Sequence, residues 1–165
     1  MDDAKKLEIL SGIMRASHFE WRRAALALCP EMDPIELVKK YWEEVGKDTA
    51  QFYLKKIDPA GNIPEQIARL FVSSSQAMGE NAVLSGTTED GKHQAKHIDC
   101  PWYQWHQREH LLQEDQVGCD HWLQTVIHEI NRTLGTSVKC ETVSSLPAGD
   151  GCCLRRFWTA ERNEP

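Results

Sequence analysis

The sequence predicts an α+β domain, with N-terminal helices packed on a four-stranded antiparallel sheet made of two hairpins with helices between them. Three observations carry this reading. Apolar residues recur at helical spacing from about residue 4 to residue 80. From residue 81 the pattern changes to short alternating runs bounded by turn residues, Glu89-Asp90-Gly91-Lys92 and Pro147-Ala148-Gly149-Asp150-Gly151. The 165 residues carry no repeat, low-complexity tract or linker, so a single domain spans 1–165, with a helical half (4–80) and a sheet-and-helix half (81–160).

Each element has its own start and stop chemistry. In the first helix Leu7, Leu10, Met14, Trp21, Ala25 and Leu28 share a face, and Cys29-Pro30 ends the run. Asp33, Pro34 and Glu36 form a helix start of the Asp-x-x-Glu type. Leu37, Val38, Tyr41, Trp42, Val45, Thr49 and Phe52 then give one apolar face, running to about Ile57. A loop, Asp58 to Asn62, precedes a third helix from Ile63-Pro64 that buries Ile67, Leu70, Phe71 and Met78. Residues 81–88 and 92–99 read as a hairpin, with His93 and His97 on one face of the return strand, taken as a solvated or edge face. Pro101 opens a short aromatic helix, Gly118 breaks it, and a longer helix runs from Cys119 or Asp120 to Leu134, closed by Gly135. Strands over 136–143 and 152–159 form the second hairpin, and the polar tail 161–165 reads as frayed.

Composition narrows the function. Twenty-five acidic against 19 basic residues give a net charge of −6, with no Lys/Arg-rich stripe, which argues against nucleic acid or an anionic membrane as partner. No apolar leader follows Met1, so the chain reads as cytoplasmic, where cysteines stay reduced. Five of the six cysteines lie after residue 99. Cys100 stands at a strand end, Cys119 at the expected helix start where the dipole would favour thiolate, and Cys153 in the last strand. They read either as a shared site or as small apolar packing residues; Cys29, Cys140 and Cys152 read as packing. Asp120 and Asp150 are a helix cap and a turn residue, or acid–base partners of neighbouring thiols. His106-Gln107-Arg108-Glu109-His110 matches a His-x-x-Glu-His metal pattern by spacing alone. Trp102, Tyr103 and Trp105 could wall an apolar pocket. No nucleotide-binding glycine loop and no serine-hydrolase elbow is present.

Taken together, Cys100-Pro101, Gly118-Cys119-Asp120 and Gly149-Asp150-Gly151-Cys152-Cys153 resemble the signature of the L-2-amino-thiazoline-4-carboxylic acid hydrolase-like family. The layout also resembles, more distantly, vinyl-reductase-type sensor domains and their trafficking-complex relatives. The hydrolase resemblance implies cleavage of a small cyclic C–N substrate, with Cys119, Asp120 and His121 catalytic, and Trp102, Trp105 and Arg155 binding the substrate. It also implies that Cys100, Cys119 and Cys153 form one set, holding zinc or iron if a metal is used. The sensor resemblance implies instead a non-catalytic module for a small ligand or a metal. A homodimer through the helices of Trp42, Phe52 and Phe71 is a further expectation.

Overall fold

The computed structural model describes residues 1–160. Five helices and four strands follow one another: α1 (Asp3–Leu28), α2 (Pro34–Leu54), α3 (Ile63–Ala77), β1 (Asn81–Thr87), β2 (His93–Asp99), α4 (Pro101–Arg108), α5 (Leu112–Leu134), β3 (Val138–Ser144) and β4 (Cys153–Thr159). The frayed tail expected at 161–165 lies outside the described residues. The sheet is antiparallel throughout in the order β1-β2-β4-β3, so the two hairpins join through their second strands. The α+β class and the hairpin pair are as the sequence predicts.

The cap expected at Asp33 is present, and Asp2 and Asn62 cap two further helices. The side chains of Asp2, Asp33 and Asn62 accept from the backbone N–H groups of Lys5, Ile35 and Glu65 at the starts of α1, α2 and α3. Glu36 does not reach back to complete a capping box; it binds Lys39. Gly135, with φ +66°, closes α5 in the left-handed conformation.

The core lies between the sheet and the helices laid on it. Ile67, Ala68, Phe71 and Val72 of α3, and Leu123, Val126, Ile127 and Ile130 of α5, meet Ala82, Ala95, Val138 and Phe157 of the strands. Tyr53 and Ala50 bring α2 onto the outer side of this layer. Edge strand β1 buries only Ala82, and its register shifts twice, around Asn81 and before Thr87 with Gly86 at φ +97°, which blunts the edge against further pairing.

Two further expectations fail, each for a tertiary reason. Gly118 does not break a helix: α5 begins six residues earlier, at Leu112, and runs through it. A Cβ at Gly118 would sit 2.6 Å from the Trp42 ring, and one at Gly46 would sit 2.9 Å from the Trp122 carbonyl oxygen. The two glycines let α2 and α5 approach closely, so helix propensity is given up for packing. The apolar face expected to bury α1 is the second. Leu7, Leu10, Met14, Trp21 and Leu28 are exposed. The inward side of α1 instead carries Ser11, Arg15, His18 and Phe19. Polar ties hold it there: Arg15 donates to the Met78 carbonyl, and Arg22 makes a two-pronged ion pair with the buried Glu114 of α5.

Candidate functional site

A cavity of about 510 Å³ opens between α2, α3, α4, α5 and the inner face of β2 and β4. Its walls are aromatic. Trp42 and Trp102 meet edge to face at 5.4 Å, Trp122 lies 5.8 Å from Phe71, and Phe52 stands at the outer edge. The indole of Trp122 donates to Thr49 Oγ1 at 3.1 Å, which sets its ring plane. Met14 of α1, Tyr41, Asp48, Ala77 and Met78 form the rim.

The deep side is polar, and its groups come in pairs. His97 Nε2 lies 2.8 Å from Ser75 Oγ and 3.0 Å from Glu80 Oε2. His106 Nδ1 lies 2.9 Å from the Trp102 carbonyl oxygen and 3.3 Å from Asp115 Oδ1. Burial pushes the Asp115 carboxyl above its usual range, against the pull of His106 and Arg155. Arg155 is 1% exposed; its Nη2 donates to Cys119 Sγ at 3.0 Å and lies 3.2 Å from Asp120 Oδ1, while its Nε and Nη1 have no partner. The nearby Asp120 carboxylate offsets part of the cost of burying the Arg155 charge.

The structure brings Cys100, Cys119, Cys153, Trp102 and Arg155 to this one cavity. Arg155 reaches it because β4 alternates: Cys153, Arg155 and Phe157 share the helix-facing side. Trp105, Asp120 and His121 are not among the lining residues. Trp105 stacks on Phe19 beneath the Arg108 guanidinium. Asp120 accepts from Thr142 Oγ1 at 2.6 Å inside α5, where it caps nothing.

Chemistry at the thiols departs from expectation. Cys119 lies well inside α5, away from its N-terminus, and burial pushes its thiol up to about 12, opposed by Arg155. Burial likewise raises Cys100 and Cys153. These are protonated thiols at neutral pH, not thiolates. Among the described residues no three His, Cys, Asp or Glu side chains gather into a group able to hold an ion. Cys100, Cys119 and Cys153 line one cavity without forming such a group. The His-x-x-Glu-His spacing dissolves too: His106 is buried, Glu109 turns outward to Arg23 and Arg108, and His110 lies past the end of α4 with φ +59°. His97, expected on a solvated face, is buried against Phe71. Asp150 is the turn residue of the simpler reading, its carboxylate accepting from the Ser145 N–H.

Sequence reasoning missed Trp42, Phe71 and Trp122 as walls, and Glu80, His106 and Asp115 as polar lining. For Asp115, Cys119 and Trp122 the signal was present: their 4-then-3 spacing marks one helical face, concealed once Gly118 was read as a break.

No family model matches the chain, and no curated protein matches it in sequence. Solved structures do resemble it. A trafficking protein particle complex subunit 3 from Naegleria fowleri, covalently bound to palmitic acid, superposes with a TM-score of 0.53 at 13% identity, covering 93% of this chain and 97% of that one. The phenol-responsive sensory domain of the transcription activator PoxR, with phenol, gives 0.55 at 8% identity, covering 87% and 73%. The likeness is one of fold. It agrees with the layout resemblance to sensor domains and trafficking-complex relatives, while the hydrolase resemblance gains no family match. No described helix is long and apolar enough to cross a membrane.

Proposed function

We propose that the chain is a small-molecule-binding module, and that its ligand is a compact apolar or aromatic molecule with one polar group. The carrying observation is the cavity itself. Its volume of about 510 Å³ falls within the ordinary range for ligand sites. Its walls are rings, and its few polar groups converge at the deep end beside Ser75, His97, Asp115 and Arg155. Water held against so much aromatic surface is readily displaced by an apolar guest. The fold neighbours support the reading in that one holds phenol and the other palmitic acid, each an apolar body with an oxygen at one end.

The hydrolase reading, with Cys119 as nucleophile and Asp120 and His121 moving protons, is the weaker one. A thiol held near 12 is a poor nucleophile, and neither Asp120 nor His121 lines the cavity.

Titration with phenol, benzoate and decanoate, read by tryptophan fluorescence and calorimetry, tests the proposal. Trp42, Trp102 and Trp122 line the cavity, so occupancy should change their emission. At least one compound should bind saturably at one per chain. Val45→Trp, which fills the space from α2, should abolish that binding while leaving the circular dichroism unchanged. If none of the three binds saturably, or if Val45→Trp binds as the parent does, the module reading falls.

A further inference from the structure

The outward stripe of α1 has a regularity that the rest of the molecule does not use. Leu7, Leu10, Met14, Ser17, Trp21, Ala24 and Leu28 follow one another at intervals of 3, 4, 3, 4, 3 and 4 residues. That is the heptad spacing of a helix–helix seam, whereas a helix lying on a globular core needs only the looser 3.6 period. The stripe faces away from the body. Leu7 is 53% exposed, Leu10 62%, Met14 40%, Trp21 74% and Leu28 83%, with Ile13 beside them at 57%. These six side chains leave apolar surface on the order of 700 Å², more than the largest patch of a typical monomer. It approaches the roughly 800 Å² per partner of a standard interface.

We infer that α1 is a self-association seam, pairing antiparallel with the α1 of a second copy about a two-fold axis near Ser17, so that Trp21 of the partner subunit lies over Met14 at the cavity rim. The sequence is complementary to its own reversal. With Ser17 against Ser17, Met14 meets Trp21, Leu10 meets Ala24 and Leu7 meets Leu28. Leu10 then faces the small Ala24, the two Trp21 rings are kept apart over Met14, and the small serines sit where the helices cross. A parallel pair would set Trp21 on Trp21 and Ala24 on Ala24, leaving bulk against bulk and gap against gap. Antiparallel helix dipoles also oppose favourably. An isologous contact of this kind closes on itself and generates a dimer rather than a filament. The surface differs from the face expected from sequence, because Phe71 is locked in the core and Trp42 walls the cavity.

The pairing has a consequence for the site. Met14 is the only α1 residue among those lining the cavity, and it stands on the seam. A second copy would therefore roof the open side of the cavity with an indole. This part rests on the proposed ligand-binding role; the pairing itself does not.

Sedimentation equilibrium and light scattering on the full chain, without ligand, test the pairing. The parent should have twice its chain mass of 18.9 kDa at micromolar concentration. Leu10→Glu and, separately, Trp21→Glu should sediment as monomers with unchanged helical circular dichroism; the second guards against a folding defect in the first. For the direction, tested in a Cys29→Ser background because Leu7 would lie beside the partner's Leu28, Ser17→Cys should give an oxidised, covalently linked dimer beyond the level of that background, and Leu7→Cys should not. A monomeric parent, a dimer indifferent to both glutamates, or efficient linkage through Leu7→Cys overturns the antiparallel seam. For the roof, decanoate dissociation followed by stopped-flow fluorescence should be about tenfold faster from Leu10→Glu than from the parent. An equal rate overturns the roof, and failure of decanoate, phenol and benzoate to bind either form would fall on the ligand-binding role alone.

Discussion

Helices α1 and α5 are the two longest in this fold, and each carries an amphipathic pattern; they use it in opposite ways. In α5 the apolar positions Leu123, Val126, Ile127 and Ile130 are all buried in the core. In α1 the leading apolar stripe faces solvent, and the helix is held by two polar ties, Arg15 to a carbonyl and Arg22 to Glu114, and by the ring of His18 packed among Phe19, Tyr41, Trp42, Trp102 and His106. Periodicity thus reveals that a face is apolar without revealing what covers it.

The contrast can be broken at either helix. The largest effect is expected at the polar anchor of α1. Arg22→Ala leaves the Glu114 carboxylate buried without its partner and should lower stability by about 3–5 kcal/mol, measured by denaturant unfolding. Ile130→Ala, within the core of α5, should cost about 2–5 kcal/mol through lost burial and the cavity left behind. If Arg22→Ala were neutral, α1 would be held by something other than its polar ties.

A pH titration probes the same anchor. Burial, followed by the charges of His106 and Arg22, lowers His18 to about 4 from an ordinary 6.5. A folded-state value below the unfolded one means that the contribution is complete above about pH 6.5 and is lost as pH falls towards 4. The loss should amount to at most about 3–4 kcal/mol at 1.36 kcal/mol per pH unit. His18→Phe should flatten the stability profile in that window; an unchanged profile would remove His18 from the account.

Smaller effects separate the two readings of glycine and of the stripe. Gly118→Ala should destabilise by about 1–3 kcal/mol, because its methyl group meets Trp42. An exposed helical glycine would instead gain about 1 kcal/mol from alanine. The smallest change is expected on the α1 stripe. In the monomeric Trp21→Glu background, Leu10→Ala should alter thermal unfolding by within about 0.5 kcal/mol, as at other surface positions.

Much of the architecture was legible in the sequence because local chemistry specifies it. Asp33-Pro34 and Ile63-Pro64 start helices, Gly135 ends one, and the turn residues at 89–92 and 147–151 separate alternating strands. Part of the candidate site was legible as well: Cys100 and Trp102 lie at element ends and Cys153 and Arg155 on one strand face, while Cys119 lies within α5, and all five line the cavity. Trp105 failed although it lies one turn on from Trp102 and near its face of α4: its ring is taken up between Phe19 and Arg108 instead of the cavity.

The elements, their order and the pairing within each hairpin were settled along the chain, since caps, turns and periodicities act over a few residues. Whether Gly118 was a break or a contact was settled only on folding, because the partner that needs the space, Trp42, lies 76 positions away in the chain. The protonation of the buried thiols and the outward turn of the α1 stripe were settled at that level too. Desolvation and coverage depend on which surfaces meet, and no local pattern records that.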